Sequence, residues 1–221
     1  QIVKEKRIIT LIGCNMRFHP CIQQIKCVIE NKELGKIISI HSENGSYLPD
    51  WHPNENYQNS YASKKELGGG VILTCIHEID YLYWFFGKVK EVFSITGKFS
   101  DLEINAEDLA SIIIKFKNNS VAEVHLDYFQ KPNHRSCKII GTKGSLIWDS
   151  NSNTVKIYKI KTKKWLNKIK IENYDENLMY VDELNHFLKC IQEHKETINP
   201  LKQGIETLEI AVWLKKASKS K

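Results

Sequence analysis

His77 and Asp80 sit one helical turn apart inside an apolar run, 71–86 (VILTCIHEIDYLYWFF), that opens on Gly68-Gly69-Gly70 and stops at Gly87. Imidazole titrates near neutrality, so it can take a proton from a hydroxyl or return one to it. A helix that is hydrophobic on all sides is buried, and a buried His and Asp need partners or a site. Two readings follow: a proton-transfer residue with an orienting carboxylate, and a core histidine satisfied by Asp80. Arg17 lies in a loop with few charges, Asn15-Met16-Arg17-Phe18-His19-Pro20. It reads either as a surface residue or as a contact to substrate or to a nearby carboxylate, Asp80 included. Trp51, His52, Tyr57 and Tyr61 gather just before the glycines. Glu123, His125 and Asp127 alternate and so share one strand face. Three such groups can ligate a metal, but no second cluster with ligand spacing supports it, and a polar sheet face or a subunit interface is the preferred reading.

The elements that must hold these residues follow from periodicity. The run 7–14 (RIITLIGC) reads as a buried strand. Pro20 suits a first helical turn, and Ile22, Ile25, Val28 and Ile29 continue at helical spacing until Gly35. The segment 36–47 is the first long strand of a new unit, and 70–86 is a helix capped by Gly87. Strands are then expected over 89–99, 108–117, 121–130, 135–141, 146–148, 154–160 and 165–171, with turn-forming residues between them. Helices at 174–196 and 201–218 close the chain. The fold class is α+β: an open, mostly antiparallel sheet with helices packed on one face. Ile112, Ile113 and Ile114 make one strand apolar on both faces, which calls for a cover on the second face such as another subunit.

Composition sets the boundaries. The 221 residues are 42% hydrophobic and 26% charged, as in a globular protein with a sizeable core. No apolar run reaches membrane-spanning length, and no signal peptide is present. The net charge is +6, yet only Arg7, Arg17 and Arg135 are arginine among 32 basic residues. Lysines scattered over every segment are a solvated surface rather than a nucleic-acid stripe. Cys14, Cys21, Cys27, Cys75, Cys137 and Cys190 form no C-x-x-C pair, which is cytoplasmic usage as reduced thiols and not a zinc site. The chain opens on Gln1 and runs at once into strand-like sequence, which reads as the continuation of something longer.

Three stretches carry a resemblance: the loop 15–20, the glycine-opened helix from Gly68 through Asp80, and the sheet segments 122–128 (AEVHLDY) and 139–144 (IIGTKG). In these the chain resembles the C-terminal domain of the Gfo/Idh/MocA oxidoreductases, the glucose-fructose oxidoreductase and inositol dehydrogenase group, over about residues 7–216. The resemblance implies a substrate and oligomerisation domain over 15–221, preceded in 1–14 by the last strand of a Rossmann domain. It implies hydride transfer between NAD or NADP and a sugar, sugar derivative or polyol, in a homo-oligomer built through the sheet. It makes His77 the catalytic acid/base. It places Arg17, Trp51, His52, Tyr57, Tyr61 and Asp80 beside the substrate, where aromatic rings with polar tips suit a sugar's apolar face and hydroxyl rim.

Two departures stand out. Thr74 occupies the position of the family's aspartate, on the helix face of His77, where a carboxylate would stabilise the charged imidazole. No G-x-G-x-x-G occurs, and the family's Glu-Lys-Pro tripeptide is absent, so a module of roughly 100–130 residues is missing. No cofactor is therefore expected to bind tightly to this chain alone, and the isolated chain is expected to be inactive. The alternative is a non-catalytic domain that binds a sugar-like ligand or assembles through its sheet. No nucleic-acid or membrane partner is expected.

Overall fold

The computed structural model describes residues 2–218. Gln1 and residues 219–221, the outer ends of the two stretches expected from sequence, lie outside the described residues. One eight-stranded sheet organises the molecule, in the order β2-β3-β4-β1-β5-β6-β7-β8. Its strands are β1 (Ile37–Gly45), β2 (Val89–Gly97), β3 (Leu109–Phe116), β4 (Val121–Asp127), β5 (His134–Gly141), β6 (Gly144–Asp149), β7 (Thr154–Lys159) and β8 (Lys164–Lys170). Every neighbouring pair is antiparallel except β1 with β4. The helices are α1 (Ile2–Glu5), α2 (Pro20–Glu30), α3 (Val71–Thr74), α4 (His77–Phe86), α5 (Asn177–Gln192) and α6 (Leu201–Ala217). The expected open, mostly antiparallel α+β architecture is the one observed.

Alternation decides the two faces of the sheet. Ile112, Ile114, Val124, Leu126, Ile139, Leu146, Trp148 and Ile157 turn inward and are buried in one core with residues of α2, α4 and α6. Ile113 turns outward beside Phe93, and the two are 45% and 60% exposed. The strand expected to be apolar on both faces thus has one covered and one open face. Helix α2 begins where expected: Pro20 fills its first turn and His19 caps it, the ring Nδ1 accepting from the Cys21 N–H.

Two expectations change. Residues 7–14 form no strand of the sheet: the Ile12 N–H donates to Asn199 O, and the Thr197 hydroxyl donates to Thr10 O. The apolar run instead lies against the connection between α5 and α6. The helix expected over 70–86 is broken at Cys75 (φ −93°, ψ 38°) into α3 and α4. Each piece has its own anchor. The Val71 N–H donates to Glu107 O, and the Asp80 carboxylate is held by Arg17. The glycines allow α3 its position. A Cβ on Gly69 would lie 2.3–2.8 Å from the carbonyl oxygens of Tyr61, Ala62 and Lys64. Gly70 has φ +104°, which L residues with side chains rarely adopt.

Candidate functional site

Two adjoining hollows open where the start of α4 meets the 15–18 turn, the ends of β1 and β5, and the start of α5. One, about 180 Å³, is lined by Asn15, His19, His77, Trp148, Asn153 and Met179 among others. The other, about 270 Å³, is lined by Asn44, Trp51, Thr74, Cys75, Asn133 and His134 among others. Arg135, Ser150 and Glu176 line both, so the two halves form one cleft. A larger concavity of about 610 Å³ lies between α6 and β2, but aliphatic side chains and lysines dominate it and no histidine or asparagine lines it. The chemistry is in the smaller cleft.

His77 is the titratable proton acceptor in this cleft with unused capacity. Its buried Nδ1 has no hydrogen-bond partner among the described residues. Burial, and secondly the Arg135 guanidinium, push its pKa down from 6.5 to about 4, against a smaller opposing pull from Asp80. His19 falls to about 4 as well, through burial and then Arg135. Both imidazoles are therefore neutral at pH 7; the His19 Nδ1 lone pair is taken by the Cys21 N–H, whereas the His77 Nδ1 has no partner among the described residues.

Arg135 reaches the cleft from β5, where its backbone pairs opposite Asn44 of β1. Its Nε lies 2.8 Å from Oε1 of Glu78, an ion-pair distance that is off the hydrogen-bond line. Its Nη2 donates to Glu78 Oε2 at 3.4 Å, and Asn44 donates to the same oxygen at 3.3 Å. Glu78 has no exposed surface; burial pushes its pKa up while Arg135 opposes the rise.

Arg17 and Asp80 are placed differently from the expectation that they touch substrate. Arg17 Nε and Nη2 each donate to Asp80 at 2.8 Å, and its Nη1 donates to Ile198 O and Gln203 Oε1. The Thr207 hydroxyl donates to Asp80 at 3.2 Å. The two side chains are 0% and 1% exposed. Their polar atoms are committed to one another and to α6, so they brace α4 behind the cleft rather than lining it.

The break at Cys75 also separates Thr74 from His77. Thr74 lines the half that contains Trp51, whereas His77 lines the half that contains Asn15. The shared helix face expected from their spacing is lost, and the buried Thr74 Oγ1 completes no hydrogen bond. Of the four aromatic candidates, Trp51 alone lines the cleft, held by its Nε1 donating to Ser46 Oγ and by an edge contact on Tyr128. His52 and Tyr57 flank a separate crevice of about 10 Å³, where the Tyr57 hydroxyl accepts from the Glu103 N–H. Tyr61 is 57% exposed and lines neither half. The strand trio lies on the outer sheet face as ion pairs, His125 with Asp127 at 3.0 Å and His41 with Glu123 at 2.9 Å. No group of three metal-ligating side chains occurs among the described residues.

Sequence reasoning missed Asn15, His19, Asn44 and Arg135 as cleft residues, and Glu78 as the buried partner of Arg135. A signal existed for two of them: Glu78 is the third polar residue of the apolar helix, and Arg135 is one of three arginines.

Comparisons with known proteins agree with the fold. A family model described as the C-terminal alpha/beta domain of the GFO/IDH/MocA oxidoreductase family matches residues 26–221. Levoglucosan dehydrogenase of Pseudarthrobacter phenanthrenivorans is 27% identical over 173 residues, covering 66% of this chain and 44% of that protein. An uncharacterized oxidoreductase of Bacillus subtilis is 26% identical, over 95% of this chain and 60% of its own length. The 2,7-anhydro-N-acetylneuraminate hydratase of Escherichia coli is 25% identical, over 65% of this chain and 38% of that protein. Among solved structures, levoglucosan dehydrogenase in complex with NADH and levoglucosan superposes with a TM-score of 0.86 at 18% identity, over 98% of this chain and 66% of that one. UDP-N-acetylglucosamine 3-dehydrogenase from Acidithiobacillus ferrooxidans gives 0.79 at 18% identity, over 99% and 64%. The chain thus spans less than two thirds of each curated relative's length.

Proposed function

Since the chain belongs to the Gfo/Idh/MocA oxidoreductase family through that family's C-terminal domain, we propose that it is the sugar-facing and assembly part of an NAD(P)-dependent oxidoreductase acting on a sugar, sugar derivative or polyol. One observation carries this reading: His77 is neutral, its Nδ1 has no partner among the described residues, and it opens onto a cleft otherwise rich in amides and hydroxyls. Asn15, Asn153, Ser150 and Asn44 suit sugar hydroxyls, and Trp51 offers an apolar face. The His77 imidazole takes up the hydroxyl proton as the carbon is oxidised. The levoglucosan of one relative and the 2,7-anhydro sugar of another make anhydro sugars the first substrates to try.

The described residues do not fit a dinucleotide. The single parallel strand pair, β1 with β4, carries no glycine turn for a pyrophosphate, and no G-x-G-x-x-G exists. A nicotinamide would accept or supply the hydride from a separate module, so the 221 residues alone turn over no sugar. Residues 1–14 would be the joint to that module and 15–221 the substrate and oligomerisation domain. Two features support these assignments: the ties from Thr10 and Ile12 to the 197–201 connection, and the open outer sheet face with Phe93, Ile95 and Ile113. Six unpaired cysteines support a cytoplasmic setting; no helix among the described residues is long and apolar enough to cross a membrane.

The test joins the chain to a dinucleotide-binding module and follows NADH and NADPH absorbance over a sugar panel. His77→Asn should lower kcat by roughly 10²–10⁴-fold, the scale of a general base; unchanged kcat overturns its role. Saturable NADH binding by the 221 residues alone overturns the division of labour. A second reading, a non-catalytic sugar-binding domain, is favoured by Thr74, which leaves His77 without a carboxylate. In that case the joined protein binds sugar but oxidises none.

A further inference from the structure

We propose that Arg135 makes the cleft selective for an acidic sugar, whose carboxylate takes the guanidinium edge that Glu78 leaves free. This deepens the reading of the cleft as a sugar site and rests on it. Arg135 is the one lysine or arginine among the residues lining either half, and it lines both. Its side chain is 23% exposed, whereas Glu78 has no exposed surface. A guanidinium carries five N–H donors in a rigid fork. Glu78 engages Nε and Nη2, and Asn44 steadies Glu78 in turn. Among the described residues, Nη1 makes one hydrogen bond, to the Met16 thioether at 3.3 Å, a weak acceptor.

The free edge is thus fixed in direction, charged and short of an acceptor, which is how a carboxylate-reading arginine is built. Its charge is felt throughout the cleft despite Glu78, since it is the second cause of the depression of both His77 and His19. The facing carboxylates are few. Glu176 is exposed at the rim and Asp80 is tied to Arg17. A carboxylate bound at Nη1 would act on His77 in the opposite sense to Arg135. The substrate would then bring the negative charge that Thr74 does not provide.

The experiment uses the 221-residue chain without cofactor. The His77 ring is followed by NMR, assigned with His77→Gln, during titration with D-glucuronate, D-galacturonate and D-gluconate, each paired with its neutral amide. At least one acid should bind about tenfold or more tightly than its amide and raise the pH at which His77 titrates, with the amide leaving it unmoved. Arg135→Gln alone strands the buried Glu78 charge, so the decisive variant is Arg135→Gln/Glu78→Gln, in which the preference should vanish. Three results overturn the proposal: no acid binding better than its amide, a preference that survives the double substitution, or acetate at equal concentration reproducing the His77 shift. Failure of sugar oxidation with the acid preference intact would sink the oxidoreductase reading alone.

Discussion

Removing Arg17 should cost this protein a large share of its stability, and removing Asp80 as well should add little to the loss. Arg17→Met deletes two 2.8 Å hydrogen bonds to Asp80, one to Ile198 O and one to Gln203. It leaves a carboxylate that is 1% exposed with the Thr207 hydroxyl and no cation. Stranding one partner of a buried pair costs about 3–5 kcal/mol, and an orphaned buried carbonyl adds about 1–3 kcal/mol. The sum, about 4–8 kcal/mol, is comparable to the 5–15 kcal/mol that holds an ordinary domain together. Asp80→Asn should cost less, about 3 kcal/mol, because Arg17 keeps Ile198 O and Gln203. In Arg17→Met/Asp80→Asn no charge is stranded, and the loss should fall short of the sum of the single variants by about 3 kcal/mol. Urea unfolding at pH 7.5, read by circular dichroism, measures all four proteins. A coupling below about 0.5 kcal/mol would show that the pair is not acting as one unit.

Acid should destabilise the fold through His19 and His77. Each has a native pKa of about 4 against 6.5, so unfolding takes up protons as pH falls. The stability is fully present above pH 6.5 and is lost down to about pH 4, by about 3 kcal/mol per histidine at most; urea midpoints at pH 7.5 and 4.5 should show it, with a shallower pH dependence in His77→Gln. Gly69→Ala should destabilise sharply, since its Cβ meets three backbone carbonyls, while Gly87→Ala, strained at φ +75° but in open space, should lose about 1–3 kcal/mol; thermal melts that rank them the other way would refute this. Ile113→Asp with Phe93→Asp on the exposed sheet face should reduce self-association in sedimentation velocity without altering the melting of the monomer.

The sheet was legible in the sequence because alternation and turn residues are local signals; seven strands after the glycine helix were expected and seven occur. The break at Cys75 was not legible. Nothing in Val71–Phe86 opposes a continuous helix, and the kink is imposed by Glu107 and Arg17 from elsewhere in the chain. His77 could be singled out because a polar residue in an apolar helix is conspicuous. Asp80 was conspicuous for the same reason, with Arg17, 63 residues back, among its expected partners; the pairing of Glu78 with Arg135, 57 residues on, was not legible. Where the aromatics at 57 and 61 come to lie was not legible, because a loop's path is set by contacts rather than by its own pattern. Their rings fell outside a cleft that only Trp51 of the group reaches.

The place of β1 has a kinetic consequence. The two sides of the sheet, β2-β3-β4 and β5-β6-β7-β8, are each simple meanders whose strands meet soon after they are made. They do not touch each other along β4 and β5; β1, the earliest strand, lies between them, with its Ser39 opposite Val121 on one side and Ile140 on the other. Each meander can zip locally, but uniting them closes loops of about 80–100 residues, an entropic cost that slows folding more than it lowers stability. A nascent chain must hold residues 37–45 unpaired until residue 127 has been made, and open along one edge until residue 141. For that interval the strand that later becomes the middle of the sheet is its most exposed edge.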